Sequence, residues 1–439
     1  MSNILIDLGE LPQRGQRRSL PIRTRRPIPY RSLLGVLSVV LLGLLGGAAY
    51  LPPPAAPTII AALLADTTFI SGDRLFVVSA SPGPFGMAGQ NKIVSAYALP
   101  AGTLLSRTTV TADTGAILDV TAVGDAVLVT YRVDAVGAEA TVALAAGTDR
   151  VLWVHPARML AALPRDGLAL LHENRPSGTL QWYGIDVASG RIRWSLGQPA
   201  VGYMTVAVDR GGFPTRLVTA SVDGHIEVRD AATGALTAKA DVQAPPDWRT
   251  EGISIWAVDD MVLIGGRAGT TAYALADLSR RWTNNEVDLS EHYVLPHCED
   301  AVCAVGSFDG VQVLDPATGR QRWAADHWSA LEQVGPYLLA DGPVGGHPVE
   351  PQAVVDPVTG AQLGDFGPWR SSGDSRPDGT VIGLWQPGQD VVWYASLNPA
   401  TLAVRVLGSA DRVSGDCRTT PDVLICRRLD ASVGIWQLG

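Results

Sequence analysis

The feature that most constrains this chain is a short unit that recurs along it. Residues 313–323 read VLDPATGRQRW and residues 184–194 read GIDVASGRIRW. Partial copies are VRDAATGALTA at 228–238 and VVDPVTGAQLG at 354–364, with degenerate ones at 273–282, 142–153, 96–105 and 395–404. Taking the aspartate position or its equivalent gives 100, 145, 186, 230, 274, 315, 356 and 398, so the steps run from 41 to 45 residues. A period held over that many steps marks a repeat architecture and must be read before any single motif.

Each unit has a physical reading. A short apolar or alternating strand, such as Val311–Leu314, runs into a turn. Asp186, Asp230, Asp315 and Asp356 can accept hydrogen bonds from the turn amides, and Gly190, Gly234, Gly319 and Gly360 can take a positive φ. A further strand leaves the turn carrying Trp194 or Trp323 eight residues after the aspartate, and Trp153 and Trp282 hold the same offset. A large ring thus recurs where one sheet could pack on the next. With two more strands before each turn, the unit is four short strands per ~42 residues, the size of a propeller blade. The fold class predicted is all-β. Leucine-rich repeats are too short to match, and helical repeats would place apolar residues at i, i+3 and i+4.

The D-x-x-[TS]-G-x-x-x-W units at 186–194 and 315–323 resemble the pyrroloquinoline-quinone-like (PQQ-like, quinoprotein-like) propeller repeat. That repeat is shared by quinoprotein dehydrogenases and by the propeller subunit of the bacterial outer-membrane β-barrel assembly machinery. The resemblance spans roughly residues 63–439 and speaks to fold, since the motif describes a turn and an inter-blade contact. It implies eight blades. A literal count reaches nine if 411–439 is a further unit closed by a strand from 57–62. Eight is the expectation, with 109–158 the segment least suited to form a full blade.

Ahead of the propeller, residues 32–51 (SLLGVLSVVLLGLLGGAAYL) contain no charge and are long enough to cross ~30 Å of hydrocarbon as a helix. Seven arginines precede them in 1–31, which favours a cytoplasmic N-terminus. The expected order is an Arg-rich arm at 1–31, a transmembrane helix at 32–51, a Pro-rich linker at 52–62 and the propeller at 63–439. This order predicts a single-pass protein of the cell membrane with its propeller outside. A cleaved secretory signal is the competing reading, and the apolar run is long for one. Arg17-Arg18-Ser19-Leu20 resembles a twin-arginine signal but lies far from the apolar run. No cysteine follows that run for lipid attachment. Removing the seven arginines, Asp7 and Glu10 from 34 basic and 43 acidic residues leaves 27 and 41, a net of −14 for 51–439. A body that acidic repels a phosphate backbone, so no nucleic-acid partner is predicted.

Four cysteines in an exported domain suggest two disulfides. Two-residue turns at 300–301 and 421–422 would set Cys298 opposite Cys303 and Cys417 opposite Cys426, within bridging reach. His292, His297 and Cys298 lie close in sequence, but 292 and 297 would point to opposite faces of a strand, so no metal site is predicted. No nucleophile elbow, Walker loop or EF-hand spacing is present, and no catalytic residue is assigned. The reading is a non-catalytic scaffold binding a protein, peptide or glycan, with 81–90, 341–351 and 369–380 as contact loops. The alternative is a PQQ-dependent alcohol or sugar dehydrogenase. The resemblance then implies adjacent cysteines over the cofactor, calcium ligands and a catalytic aspartate. No adjacent cysteine pair exists here, and no residue carries the ligands over. No cofactor is therefore predicted; PQQ and calcium belong to the alternative alone.

Overall fold

The computed structural model describes residues 56–439 apart from 83–87, 111–115, 134–136, 149, 176–178, 198–201, 243, 245–247, 249–252, 307–308 and 343–350. The expected arm, the anchor at 32–51 and the start of the linker lie outside the described residues. Among the described residues no helix is long and apolar enough to cross a membrane.

Nine four-stranded antiparallel sheets follow one another along the chain. Blades I to VIII are residues 67–110, 117–155, 158–197, 202–241, 254–284, 292–325, 330–365 and 370–411. Blade IX takes three strands from 413–437 and its fourth, Thr58–Ile60, from the start of the described chain. The expectation of eight blades is therefore corrected to nine. Residues 117–155 form a complete blade, and the strand available at 57–62 closes the ring, so no unit is lost.

Burial follows position in the blade. Second strands such as Met261–Gly266 are buried throughout, because both of their faces meet a neighbouring blade. Fourth strands such as Ile192–Gly197 alternate between exposed and half-buried, as an outer edge should. The first strands of successive blades touch one another, Thr67–Ser71 against Ile117–Val123 and Gly202–Val208 against Ser254–Val258. First strands thus surround the axis and fourth strands face outward. The core lies between blades: Phe76 and Val94 of blade I cluster with Val127 and Val142 of blade II.

The recurring tryptophan is the seam. The Nε1 of Trp153, Trp194, Trp282 and Trp323 donates to the carbonyls of Val187, Ala232, Pro316 and Pro357 in the next blade's motif turn, at 2.7–3.2 Å. Each ring lies so close to the glycine of that turn (Gly190, Gly234, Gly319 or Gly360) that a Cβ there would collide with it. Two seams invert the sizes. Between blades IV and V the tryptophan position is Ala238 and the glycine position is Leu278. Between VII and VIII they are Gly364 and Leu402. Both leucines hold φ near +58°, a conformation unfavourable for a side chain. Leu278 packs in one cluster with Ala238, and a Cβ on Gly364 would collide with Leu402. The leucine fills the space that a tryptophan fills elsewhere. In blade I the amide of Gly102 bonds the carbonyl of Ala98, so the aspartate-equivalent position is 98 and not 100.

Candidate functional site: one face of the ring

The turns divide between two faces. In blades I, II, III, V and IX an amide just after the third strand bonds the turn from first to second strand, as Val187 N–H to Gly167 O and Leu275 N–H to Asp260 O, and in blade IV Ala231 N–H reaches Thr215 O at the start of the second strand. The remaining connections bond one another on the opposite face, as Val413 N–H to Asp390 O and Leu429 N–H to Arg412 O. The motif aspartates and the first-to-second turns therefore share one face.

On that face the motif aspartates are turn caps. Asp186 Oδ1 accepts from the amide and hydroxyl of Ser189, and Asp315 Oδ1 does the same with Thr318. The guanidinium of Arg193 on the Asp186 carboxylate, helped by the Ser189 bonds, lowers its pKa to about 2. Arg322 lowers Asp315 in the same way, and the Thr359 amide lowers Asp356. Asp230 pairs instead with Arg216 at 2.9 Å. These aspartates spend their bonds on their own turns, and so hold the motif in shape.

On this face, what differs most between blades is the first-to-second connection. It is two residues long in blades I, II, V and VII, at 72–73, 124–125, 259–260 and 335–336. It lengthens to 164–167 in blade III, 209–213 in IV, 295–301 in VI, 376–380 in VIII and 420–422 in IX. In blade IV, Asp209 Oδ1 accepts from the amides of Gly211 and Phe213 and holds the Phe213 ring 40% exposed. Clefts of about 450 and 470 Å³ lie on either side of that ring, and Pro164 lines both. A larger cleft of about 890 Å³ lies over the short turns of blades V and VII, around the long connection of blade VI. Its walls include the Asp260–Arg281 ion pair, Tyr293 of an innermost strand, and the 295–301 connection.

Both disulfides are present. Cys417 faces Cys426 across the 421–422 turn as expected, beside a bulge that sets Asp416 and Cys417 against Cys426. The register expected for the other pair is corrected. Val294 faces Ala304, and Leu295 N–H bonds Cys303 O, so Leu295 stands opposite Cys303. Cys298 sits in the connection itself, in a turn closed from Ala301 N–H to Cys298 O with Asp300 at φ 52°. The bridge therefore fixes a loop to its strand. His292 is buried over Gly306, while His297 Nδ1 meets Asp259 Oδ1 at 2.8 Å, so the two histidines do not converge.

Of the expected contact loops, 81–90 and 341–351 join second to third strands on the face away from the clefts, and their centres lie outside the described residues. The third is corrected in part: Arg370–Ser375 is the innermost strand of blade VIII, where Ser371 Oγ donates to Glu332 and Ser372 Oγ meets Thr419 Oγ1 in the adjoining blades, while 376–380 is a connection on the cleft face. Phe213, Tyr293 and the Asp259–His297 pair were not singled out from sequence. The available signal was the spacing between a first strand and the next, which varies while the motif period stays nearly fixed.

The residues do not fit PQQ with calcium. Among the described residues no group of three or more His, Cys, Asp or Glu could hold a metal ion, and the cleft's Asp259 and Asp260 are taken by His297 and Arg281. No family model matches the chain, and no curated protein matches it. Among solved structures the chain is similar to BamB from Moraxella catarrhalis, at 16% identity over 88% of this chain and 98% of that one, with a TM-score of 0.40. It is also similar to the computationally designed Ika8 protein, at 15% over 76% and 99% with a TM-score of 0.43. A third is the C-terminal WD40 domain of Sif2, at 8% over 89% and 100%, again with a TM-score of 0.43. These likenesses concern the fold alone.

Proposed function

We propose that this chain is a non-catalytic binding scaffold, anchored through residues 32–51, that presents its propeller outside the cytoplasm to a protein, peptide or glycan. The observation that carries the reading is that, on the face of the motif turns, the first-to-second connection is two residues long in four blades and three to seven in the other five, with three clefts opening among these connections. Loops that depart from the repeat are where such rings commonly bind. Two internal disulfides fit an oxidising compartment. The anchor reading rests on the uncharged run and the arginines before it.

The test is a photo-crosslinking amino acid introduced in intact cells at Phe213 or Glu299 on the cleft face, and at Asp326 on the other. Discrete adducts are expected from the first two positions and not from the third. Adducts from none, or equally from all three, would refute the assignment of the face. Saturable uptake of PQQ with calcium that raises the thermal midpoint would overturn the non-catalytic reading, since a ligand of the native state stabilises it.

A further inference from the structure

We infer that the cleft over blades V to VII receives arginine side chains from an exposed segment of a partner protein. This rests on the scaffold reading and names the chemistry its largest cleft takes.

The cleft is preformed. The connection 295–301 is fixed to its own strand by the Cys298–Cys303 bridge. It is fixed to blade V twice, by Asp259 N–H to Pro296 O at 3.0 Å and by the His297 Nδ1–Asp259 Oδ1 contact. Walls tied in this way lose little freedom when a ligand arrives.

The polar groups that the cleft presents are mostly ones that suit a cationic donor. Tyr293 holds its ring 65% exposed on the innermost strand of blade VI. Glu299 and Asp300 stand exposed on the bridged connection. Two polar atoms in the lining residues are buried without a partner, Gln333 Oε1 and His297 Nε2. The first is an acceptor, and so is the second when Nδ1 carries the proton towards Asp259. Buried unpaired acceptors in a cleft wall call for a donor. The lining counts five carboxylates (Asp259, Asp260, Glu299, Asp300, Glu332) against Arg210 and Arg281, a net of −3 with histidines neutral.

A guanidinium has the chemistry that each of these groups can take. It carries a permanent charge, five N–H donors and a flat face that stacks on tyrosine. An ammonium supplies the charge without the fork or the flat face. A metal ion is not the occupant this lining suits, since its acids do not converge on one point.

The test titrates the purified full chain with a labelled glycine–serine peptide carrying two arginines, and with its lysine and citrulline counterparts. The arginine peptide is expected to bind at least tenfold tighter than the citrulline peptide and several-fold tighter than the lysine peptide. Tyr293→Ala and the pair Glu299→Gln with Asp300→Asn should each weaken it at least fivefold, while Tyr293→Phe retains it. Asp326→Asn with Asp411→Asn, removing equal charge away from the cleft, should leave it unchanged. Thermal midpoints confirm that each variant is folded. Equal binding of the citrulline peptide, or equal loss in the distant pair, overturns the inference. Cleft-face crosslinks without any preference for arginine sink this inference and leave the scaffold reading standing; loss of both sinks both.

Discussion

The inverted seam between blades IV and V offers a sharp test of how the ring is held together. At the neighbouring seam a tryptophan, Trp194, lies on Gly234; here Ala238 faces Leu278, which is 4% exposed and has φ 59°. Leu278→Gly empties that space. Removing a buried leucine side chain costs about 2–5 kcal/mol, and relief of the left-handed conformation returns about 1–2 kcal/mol, for a net loss of about 2 kcal/mol. Ala238→Trp alone drives an indole into the leucine, and overpacking costs about 1–3 kcal/mol. Together they rebuild the common seam: the ring lies on a glycine, and the indole N–H can reach the carbonyl of Leu275, the position equivalent to Val187 and Pro316. The rest of the site permits it, since Val228 beneath Ala238 matches Val313 beneath Trp323. The double variant should therefore sit within about 1 kcal/mol of the parent, a coupling of about 3 kcal/mol, at the top of the range for residues in contact. A chain of this size need not unfold in two states, so the assay is the thermal midpoint at one fixed scan rate. Each single substitution should lower it by several degrees and the pair should restore it. If the pair loses the sum of the two single losses, the size exchange is not what holds this seam.

Two further predictions use the same turns. Gly319→Ala places a Cβ against Trp282 at φ 69°, whereas Gly335→Ala, at φ 54°, meets nothing within 4 Å; the first should cost about 2 kcal/mol or more beyond the ~1 kcal/mol of the second, and equal losses by thermal midpoint would refute the ring contact. Asp186 has its pKa lowered to about 2 in the folded chain, below the ~3.9 of an unfolded aspartate, so its contribution is present above about pH 4 and is lost as pH falls through about 2. The paired Arg193 side chain is 42% exposed, so solvent screening reduces that contribution to about 1 kcal/mol. Asp186→Asn should accordingly lower stability by that amount at pH 7 and converge with the parent below pH 2, and a constant offset across pH 7 to 2 would show that the carboxylate's charge contributes nothing.

The repeat could be read from sequence because the turn imposes residue types that no packing can replace. Asp186, Asp230, Asp315 and Asp356 each cap amides two or three residues on, and a positive φ with a ring pressed against it leaves glycine as the fitting residue at 190, 234, 319 and 360. Blade number was harder, because closure depends on Thr58–Ile60, three residues with no motif of their own, and because blade II holds its place by packing and not by a complete turn signature. The cleft was hardest. Leu295–Ala301 departs from the repeat, and departure has no fixed residue code: Tyr293 is one exposed ring on a three-residue strand, and His297 finds Asp259 from 38 positions away. The inverted seams show the same limit from the other side. Leu278 and Leu402 look like lost glycines when each unit is read alone, and only the adjoining blade, with Ala238 or Gly364 in place of tryptophan, shows that the volume was kept and moved across the interface. A repeat read unit by unit therefore yields the local turn, whereas what closes the ring and shapes its clefts is encoded between units, in pairs some forty residues apart.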